Sequence, residues 1–93
     1  MQENYFMITI PTGLTGRDAL KVIHSAASFK SDMYLTYKQK TVTLKSVLGL
    51  MSLAIRPGSL VFITANGDDE QLAMKTITEI LIDEKIAEPY IPK

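Results

Sequence analysis

Apolar residues change their spacing from one segment of this chain to the next, and that change restricts the fold more than any other feature. Short runs of aromatic and β-branched residues predict strands, and apolar residues three and four positions apart predict helices. The predicted strands are 5–10, 32–37, 40–44 and 60–65, and the predicted helices are 16–29, 46–53 and one opened by Asp68, Asp69 and Glu70. The order β-α-β-β-α-β-α predicts an α+β fold, a four-stranded antiparallel sheet with three helices on one face.

The first and last helices are each expected to bury one apolar stripe, because their apolar residues recur at helical spacing. In the first helix the predicted stripe is Leu20, Ile23 and Ala27, with Ala19, Val22 and Ala26 alongside. In the last helix it is Leu72, Ala73, Ile77, Ile80 and Leu81.

The segment after Ile82 differs from the rest, because Pro89 and Pro92 prevent a regular helix from continuing through it. We therefore expect residues 1–85 to form one domain and residues 86–93 to form a frayed or surface-docked tail. A chain of 93 residues is long enough for a single domain with a modest core.

Composition and charge exclude several classes of function. Ten basic and ten acidic side chains give a formal net charge of zero, which argues against direct nucleic-acid binding through a basic surface. Cysteine is absent, so disulfides, thiolate metal sites and cysteine nucleophiles are excluded. His24 is the only histidine, and it cannot make a catalytic triad or a metal site alone. We expect no metal site and no cofactor. No signal peptide and no membrane-spanning run is apparent, which favours a cytoplasmic protein that does not bind membranes.

Residues 11–19, Pro-Thr-Gly-Leu-Thr-Gly-Arg-Asp-Ala, resemble the active-site segment of the HPr family, the histidine-containing phosphocarrier proteins of the sugar phosphotransferase system. The family motif is Gly-Leu-His-Ala-Arg-Pro-Ala. Thr15 stands where the motif has the phosphorylated histidine, and four residues match it: Gly13, Leu14, Arg17 and Ala19. The resemblance covers most of the chain and implies the family fold, an open-faced β-sandwich.

Thr15 does not suit a phosphocarrier. Phosphohistidine transfers its phosphate readily because imidazole leaves easily near neutral pH, whereas a threonine ester is stable and its formation needs an adjacent base. Asp18 stands where the family has proline, and its negative charge would repel a phosphate at the helix N-terminus. Thr15 and Asp18 instead have the spacing of a capping box, which predicts Thr15 as an N-cap and no catalytic residue here.

Residues 45–53 resemble the family's regulatory serine segment and are nearly intact. A lost histidine together with a retained serine resembles the catabolite-repression type of the family, Crh, which acts as a corepressor. The sequence pattern alone predicts Ser46 as an N-cap. The resemblance adds that HPr kinase/phosphorylase phosphorylates it, and a helix N-terminus can accept that phosphate in place.

Val47, Leu48 and Met51 share one side of the short helix after Ser46. The helix has more apolar residues than one buried stripe can hold, so some are expected to face water. The resemblance implies that these residues form an exposed patch that docks onto partners. For Arg17 two interpretations stay open: a solvated side chain near Asp18, or an ion pair with a partner protein.

Three functions stay open at this point. The first is a corepressor that is switched at Ser46 and binds a LacI-type transcriptional repressor resembling catabolite control protein A. The second is a phosphocarrier of the phosphoenolpyruvate-dependent phosphotransferase system, and the third is an interaction module that is never phosphorylated. Monomer and homodimer are also both open, since Crh-like proteins can exchange their first strand between subunits.

Overall fold

Five strands and three helices follow one another in the computed structural model, which describes residues 1–14 and 16–91 of the chain. In chain order they are β1 (Gln2–Ile8), α1 (Gly16–Ala27), β2 (Asp32–Tyr37), β3 (Lys40–Thr43), α2 (Val47–Ser52), β4 (Leu60–Asn66), α3 (Glu70–Asp83) and β5 (Ala87–Tyr90). The predicted order β-α-β-β-α-β-α is confirmed, and one further strand follows it.

The strands form one antiparallel sheet in the order β3-β2-β4-β1-β5. Side chains alternate across a sheet, so each strand sends every second residue to the same face. On one face these residues are buried beneath the three helices, and they form most of the core: Phe6, Ile8, Met33, Leu35, Val61, Ile63 and Ala65. The α+β architecture with helices on one face of an open sheet is therefore as predicted.

The expectation of four strands is corrected by β5, which comes from residues assigned to a tail. Tyr90 lies opposite Tyr5 and Pro89 lies opposite Phe6 in the β1–β5 ladder. Pro89 rules out a helix, but it is compatible with an edge strand, where one N–H faces away from the ladder. Ile86 secures the segment, because its side chain is fully buried and its carbonyl accepts hydrogen bonds from the N–H groups of Thr9 and Ile10.

β1 begins and ends earlier than the predicted strand 5–10. Gln2 lies opposite Ala65 and Glu3 lies opposite Thr64, so the polar start of the chain is part of the sheet. Backbone groups make the ladder, and a strand can therefore include polar residues that a search for β-branched and aromatic residues passes over.

The helices bury stripes that are displaced from the predicted ones. In α1 the buried residues are Ala19, Val22, Ile23 and Ala26, whereas Leu20 and Ala27 of the predicted stripe are exposed. In α3 the buried residues are Ala73, Met74, Ile77 and Leu81, whereas Leu72 is exposed and Ile80 is half-buried. In α1 both ends of the predicted stripe thus face solvent, and in α3 its first residue does, while the unpredicted Met74 packs into the core.

Candidate functional site

Gly13 and Leu14 fix the segment before α1 to the chain that follows α2. Gly13 has a φ of +75°, and a Cβ there would lie 2.5 Å from the carbonyl oxygen of Ile55. The Leu14 N–H donates to that same oxygen at 3.1 Å, and the Leu14 side chain is fully buried. Ala19, a further motif match, is also buried. Three of the four residues that match the phosphocarrier motif are therefore framework residues.

Thr15 lies outside the described residues, so its predicted role as N-cap of α1 stays a prediction. Asp18 lies in the first turn of α1 and is half-buried, and Arg17 beside it is exposed. Among residues 1–14 and 16–91 the ion pairs join the Met1 amino group to Glu70 and Lys21 to Glu84, so Arg17 has no ionic partner there. Its guanidinium is available to a partner protein or to solvent.

Ser46 is the N-cap of α2, as the sequence predicts. Its backbone is extended, with φ −126° and ψ 113°, and its hydroxyl accepts a hydrogen bond from the Gly49 N–H at 3.1 Å. The Ser46 carbonyl also accepts the first helical hydrogen bond, from Leu50. The side chain is half-buried against Gly49, where an added Cβ would come within 3.4 Å of the hydroxyl oxygen. The hydroxyl therefore sits at the start of a defined helix, at the protein surface.

The apolar residues of α2 divide between the core and the surface. Leu50 is fully buried and Leu53 nearly so, whereas Leu48 is 83% exposed and Met51 is 42% exposed. Val47 is half-buried and packs against the core. The predicted excess of apolar residues over one stripe thus leaves a small surface made by Leu48 and Met51, with Val47 at its margin; we call it the α2 patch.

Lys45 precedes the N-cap residue Ser46, and its side chain bonds to the end of the α1 region. Its ammonium donates to the carbonyl oxygen of Phe29 at 3.0 Å, which joins the start of α2 to the end of the α1 region. The Lys45 side chain is exposed. A phosphate on Ser46 would compete with the Phe29 carbonyl for the Lys45 ammonium. A charged acceptor forms the stronger hydrogen bond with an ammonium.

His24 is exposed on α1 and lines a shallow groove between α1 and α3. Lys21, Ser25, Ile80 and Glu84 also line it, and Lys21 forms an ion pair with Glu84. In the described part of the chain no three histidine, cysteine or carboxylate side chains come together as a metal site would need. No described helix is long and apolar enough to cross a membrane.

Asp69 has a role that the sequence did not indicate. Asp69 is the N-cap residue of α3, yet its carboxylate makes no side-chain cap. It accepts hydrogen bonds from the N–H of Lys30 at 2.8 Å, from the N–H of Ser31 at 2.9 Å and from the Ser31 hydroxyl. These bonds, that of the Ser31 hydroxyl first, hold the pKa of Asp69 below its ordinary value.

The face of the sheet without helices carries exposed apolar residues that were not predicted from the sequence. Tyr5, Tyr34, Leu60 and Tyr90 are all exposed on it, and Phe62 is half-buried among them. The signal was present in the strands themselves. Residues 5–8 and 60–63 are apolar at every position rather than at every second one, a pattern that puts apolar side chains on both faces.

Comparison with known proteins identifies relatives over most of the chain. A family model described as the PTS HPr component phosphorylation site matches residues 2–83. The fold is similar to that of the histidine-containing phosphocarrier protein of Mycoplasma, with a TM-score of 0.89 and 29% identity over 91% of this chain and 97% of that one.

Two further structures show that both types of relative share the fold. HPr of Thermoanaerobacter tengcongensis is 36% identical over 91% of this chain and 94% of its own, with a TM-score of 0.85. Crh, the catabolite repression protein of Bacillus subtilis, is 38% identical over 80% of this chain and 85% of its own, with a TM-score of 0.70, and its crystal structure is a domain-swapped dimer.

Proposed function

The chain belongs to the HPr family, and from this premise we propose that it is a Crh-like regulatory phosphoprotein of catabolite repression rather than a phosphocarrier. In this proposal HPr kinase/phosphorylase phosphorylates Ser46. The phosphorylated protein then acts as corepressor of a LacI-type repressor resembling catabolite control protein A. The chain itself is not an enzyme, and it contacts DNA only through the repressor.

The observation that carries the proposal is the arrangement of α2. A half-buried serine hydroxyl caps the helix, and two apolar side chains beside it, Leu48 and Met51, are left in water. A phosphate on Ser46 would add about −1.5 to −2 charges at the border of the α2 patch. An apolar surface next to a switchable charge suits a partner that must distinguish the two states of the chain.

The role of phosphocarrier is disfavoured by the residues around the start of α1. Thr15 replaces the histidine, and Asp18 places a carboxylate in the first turn of the helix, where a carrier would need to attract a phosphate. The framework residues Gly13, Leu14 and Ala19 match the family motif, whereas the residue that would carry the phosphate does not. Arg17, exposed beside it, is proposed to pair with an acidic residue of the repressor.

The test has two stages. Incubation with ATP and HPr kinase/phosphorylase should add a single phosphate by intact mass spectrometry. Ser46→Ala should abolish the addition and Ser52→Ala, on the same helix, should not. Titration calorimetry should then show that the repressor binds the phosphorylated chain at least about tenfold more tightly, a difference of about 1.4 kcal/mol.

A phosphorylation-independent interaction module is the second candidate, favoured by the exposure of the α2 patch in the unmodified chain. It predicts equal affinity for the repressor, or for phosphotransferase proteins, with and without phosphate. Equal affinities in the calorimetric test would reject the corepressor proposal and favour this alternative.

A further inference from the structure

The side of the sheet that faces away from the helices, which we call the open face, has an ordered arrangement of side chains. Tyr5 lies opposite both Tyr90 and Phe62, and Phe62 lies opposite Thr36, so these four residues form a row across β5, β1, β4 and β2. The rings of Tyr5 and Phe62 are in contact, with centroids 4.6 Å apart. The open face therefore has an aromatic row at its centre.

A second row runs beside the first and ends in opposite charges. Met7 lies opposite both Glu88 and Leu60, which places Glu88, Met7 and Leu60 in line on β5, β1 and β4. Lys38 follows the end of β2 and lines a shallow groove of this face together with Leu60 and Tyr5. The row thus runs from an acidic residue at the β5 edge to a basic residue at the β2–β3 hairpin.

The composition of this face is that of a protein interface rather than of an ordinary surface. Four of the seven aromatic residues of the chain lie on it: Tyr5, Tyr34, Phe62 and Tyr90. Glu88 and Lys38 stand at opposite edges of the face, whereas Glu3 on β1 and Asp32 on β2 lie towards the other end of the strands. Interface centres are enriched in aromatic residues and depleted of charge, with polar residues at the rim.

We propose that the open face binds a second copy of this chain, forming a two-fold dimer in which two sheets pack face to face. Two-fold axes in the plane between the sheets can run along the strands or across them. An axis along the strands, between β1 and β4, lays β5 of one subunit over the β2–β3 hairpin of the other. Glu88 then meets Lys38 of the partner subunit, and Tyr5 meets the partner subunit's Phe62.

Charge selects this arrangement over its alternative. An axis across the strands would lay β5 over β5 and the hairpin over the hairpin, which puts like charges at the same edge of the dimer and pairs no opposite charges. The axis along the strands pairs opposite charges twice, because a two-fold interface repeats every contact. The ammonium of Lys38 lies 5.3 Å from the ring centroid of Tyr37 at this corner of the sheet, and the Lys38 side chain is exposed. The formal net charge of zero adds no general repulsion between copies.

The size of the face is at the lower end of the range of specific interfaces, where weak and reversible complexes are common. The strands that overlap in this arrangement are β2, β4, β1 and β5. They lie about 4.8 Å apart and the longest is about 24 Å, so the covered face is roughly 20 Å wide. This footprint is at or below about 800 Å² per partner, the size of a standard specific interface. We therefore expect a dissociation constant in the micromolar range. The three helices, and with them Ser46 and the α2 patch, lie on the other side of the sheet and stay accessible in the dimer.

Sedimentation equilibrium of the full chain over a concentration series tests the proposal. The wild-type chain should dimerise reversibly. Glu88→Lys and Lys38→Glu should each weaken the dimer at least about tenfold, and the double variant, with the charges exchanged, should recover affinity to within about threefold. Recovery in the double variant cannot come from misfolding of either single variant.

Tyr5→Glu should abolish the dimer, because it buries a charge in the aromatic row. Leu72→Glu is the matched control, since Leu72 is an exposed apolar residue on α3, and it should leave the dimer unchanged. Far-UV circular dichroism of all variants should match that of the wild type. A chain that stays monomeric up to about 1 mM overturns the proposal, and a different protein would then be the expected partner of the open face. A dimer that survives Tyr5→Glu, or that forms by slow strand exchange, overturns it as well.

Discussion

The carboxylate of Asp69 accepts hydrogen bonds from both the backbone N–H and the hydroxyl of Ser31, a residue 38 positions earlier in the chain. The contact joins the start of α3 to the turn that leads into β2. Gly67 presses on the same turn, where an added Cβ would lie 2.8 Å from the Ser31 Cα. An acidic side chain whose pKa is lowered therefore links the two segments at this corner of the fold.

Acid should therefore weaken the fold through Asp69. The pKa of Asp69 is lowered in the folded chain, so the stabilisation is present above its ordinary value of 3.8 and is lost as the pH falls through the lowered value. Asp69→Asn should lower the thermal midpoint near neutral pH and flatten its decline below about pH 4. Thermal melts from pH 7 to pH 2 check this. Asp68→Asn, at the exposed neighbouring position, should behave as the wild type does.

Gly13→Ala should destabilise the chain more than an equivalent change elsewhere. The new Cβ would have to occupy a left-handed backbone and lie 2.5 Å from the Ile55 carbonyl oxygen, so we expect a loss of about 3 kcal/mol. Gly58→Ala is the control, because Gly58 has a φ of +82° but open space around it, and it should cost about 1 kcal/mol. Urea unfolding measures both, and equal losses would show that the contact with Ile55 is unimportant.

Ser46→Ala should lower the free energy of unfolding by about 1 kcal/mol, because it removes the hydroxyl that caps α2. Ser46→Asp should retain most of this stability, since aspartate is also a good N-cap. It should, however, reproduce only part of the gain in repressor affinity, because a carboxylate has less charge than a phosphate and fewer oxygens. If Ser46→Ala is as stable as the wild type, the cap has no measurable energetic role.

Leu48→Ala and Met51→Ala should each weaken the complex between the phosphorylated chain and the repressor by about tenfold, a typical loss for a central apolar contact. Phosphate incorporation at Ser46 should continue in both variants, and Leu72→Ala on α3 should bind as the wild type does. Calorimetry with each phosphorylated variant measures the effect. Unchanged affinity in both variants would exclude the α2 patch from the interface.

Phosphoenolpyruvate and enzyme I of the phosphotransferase system should not label this chain. Thr15→His alone should restore little, because Asp18 keeps a carboxylate in the first turn of α1. Thr15→His combined with Asp18→Pro should restore more. Acid-stability assays and mass spectrometry distinguish phosphohistidine from phosphoester. Acid-labile phosphate on His24, or any phosphate on Thr15 of the wild type, would contradict the prediction.

Local signals in the sequence predicted the parts of the fold that local interactions determine. β2 was predicted with its observed bounds, because Lys38 and Gln39 mark its end and its alternation is regular. The cap at Ser46 was also predicted, since the hydroxyl and the N–H that it accepts from are only three residues apart. Counting apolar residues on a short helix predicted that some face water, and the resemblance indicated Val47, Leu48 and Met51. Leu48 and Met51 are exposed, whereas Val47 packs against the core.

Contacts between distant segments determine what the sequence did not reveal. β5 exists because residues 87–90 find backbone partners on β1, about 80 positions away, and no local pattern announces that pairing. The contact between Asp69 and Ser31 is equally distant. The borders of the helix stripes depend on how α1 and α3 lie on the sheet, which spacing along one helix does not specify. Phosphorylation of Ser46 and the partners of the α2 patch stay predictions.

β5 changes the position of β1 from the edge of the sheet to its interior, with β4 on one side and β5 on the other. A subunit that exchanges β1 with its neighbour must therefore open two ladders at once, and must also free the Ile86 carbonyl from Thr9 and Ile10. All of these bonds can form again after the exchange, so β5 raises the barrier without changing the balance between the two forms. The form that the chain adopts as it folds, monomer or strand-exchanged dimer, should therefore persist, because β5 slows the conversion of one into the other.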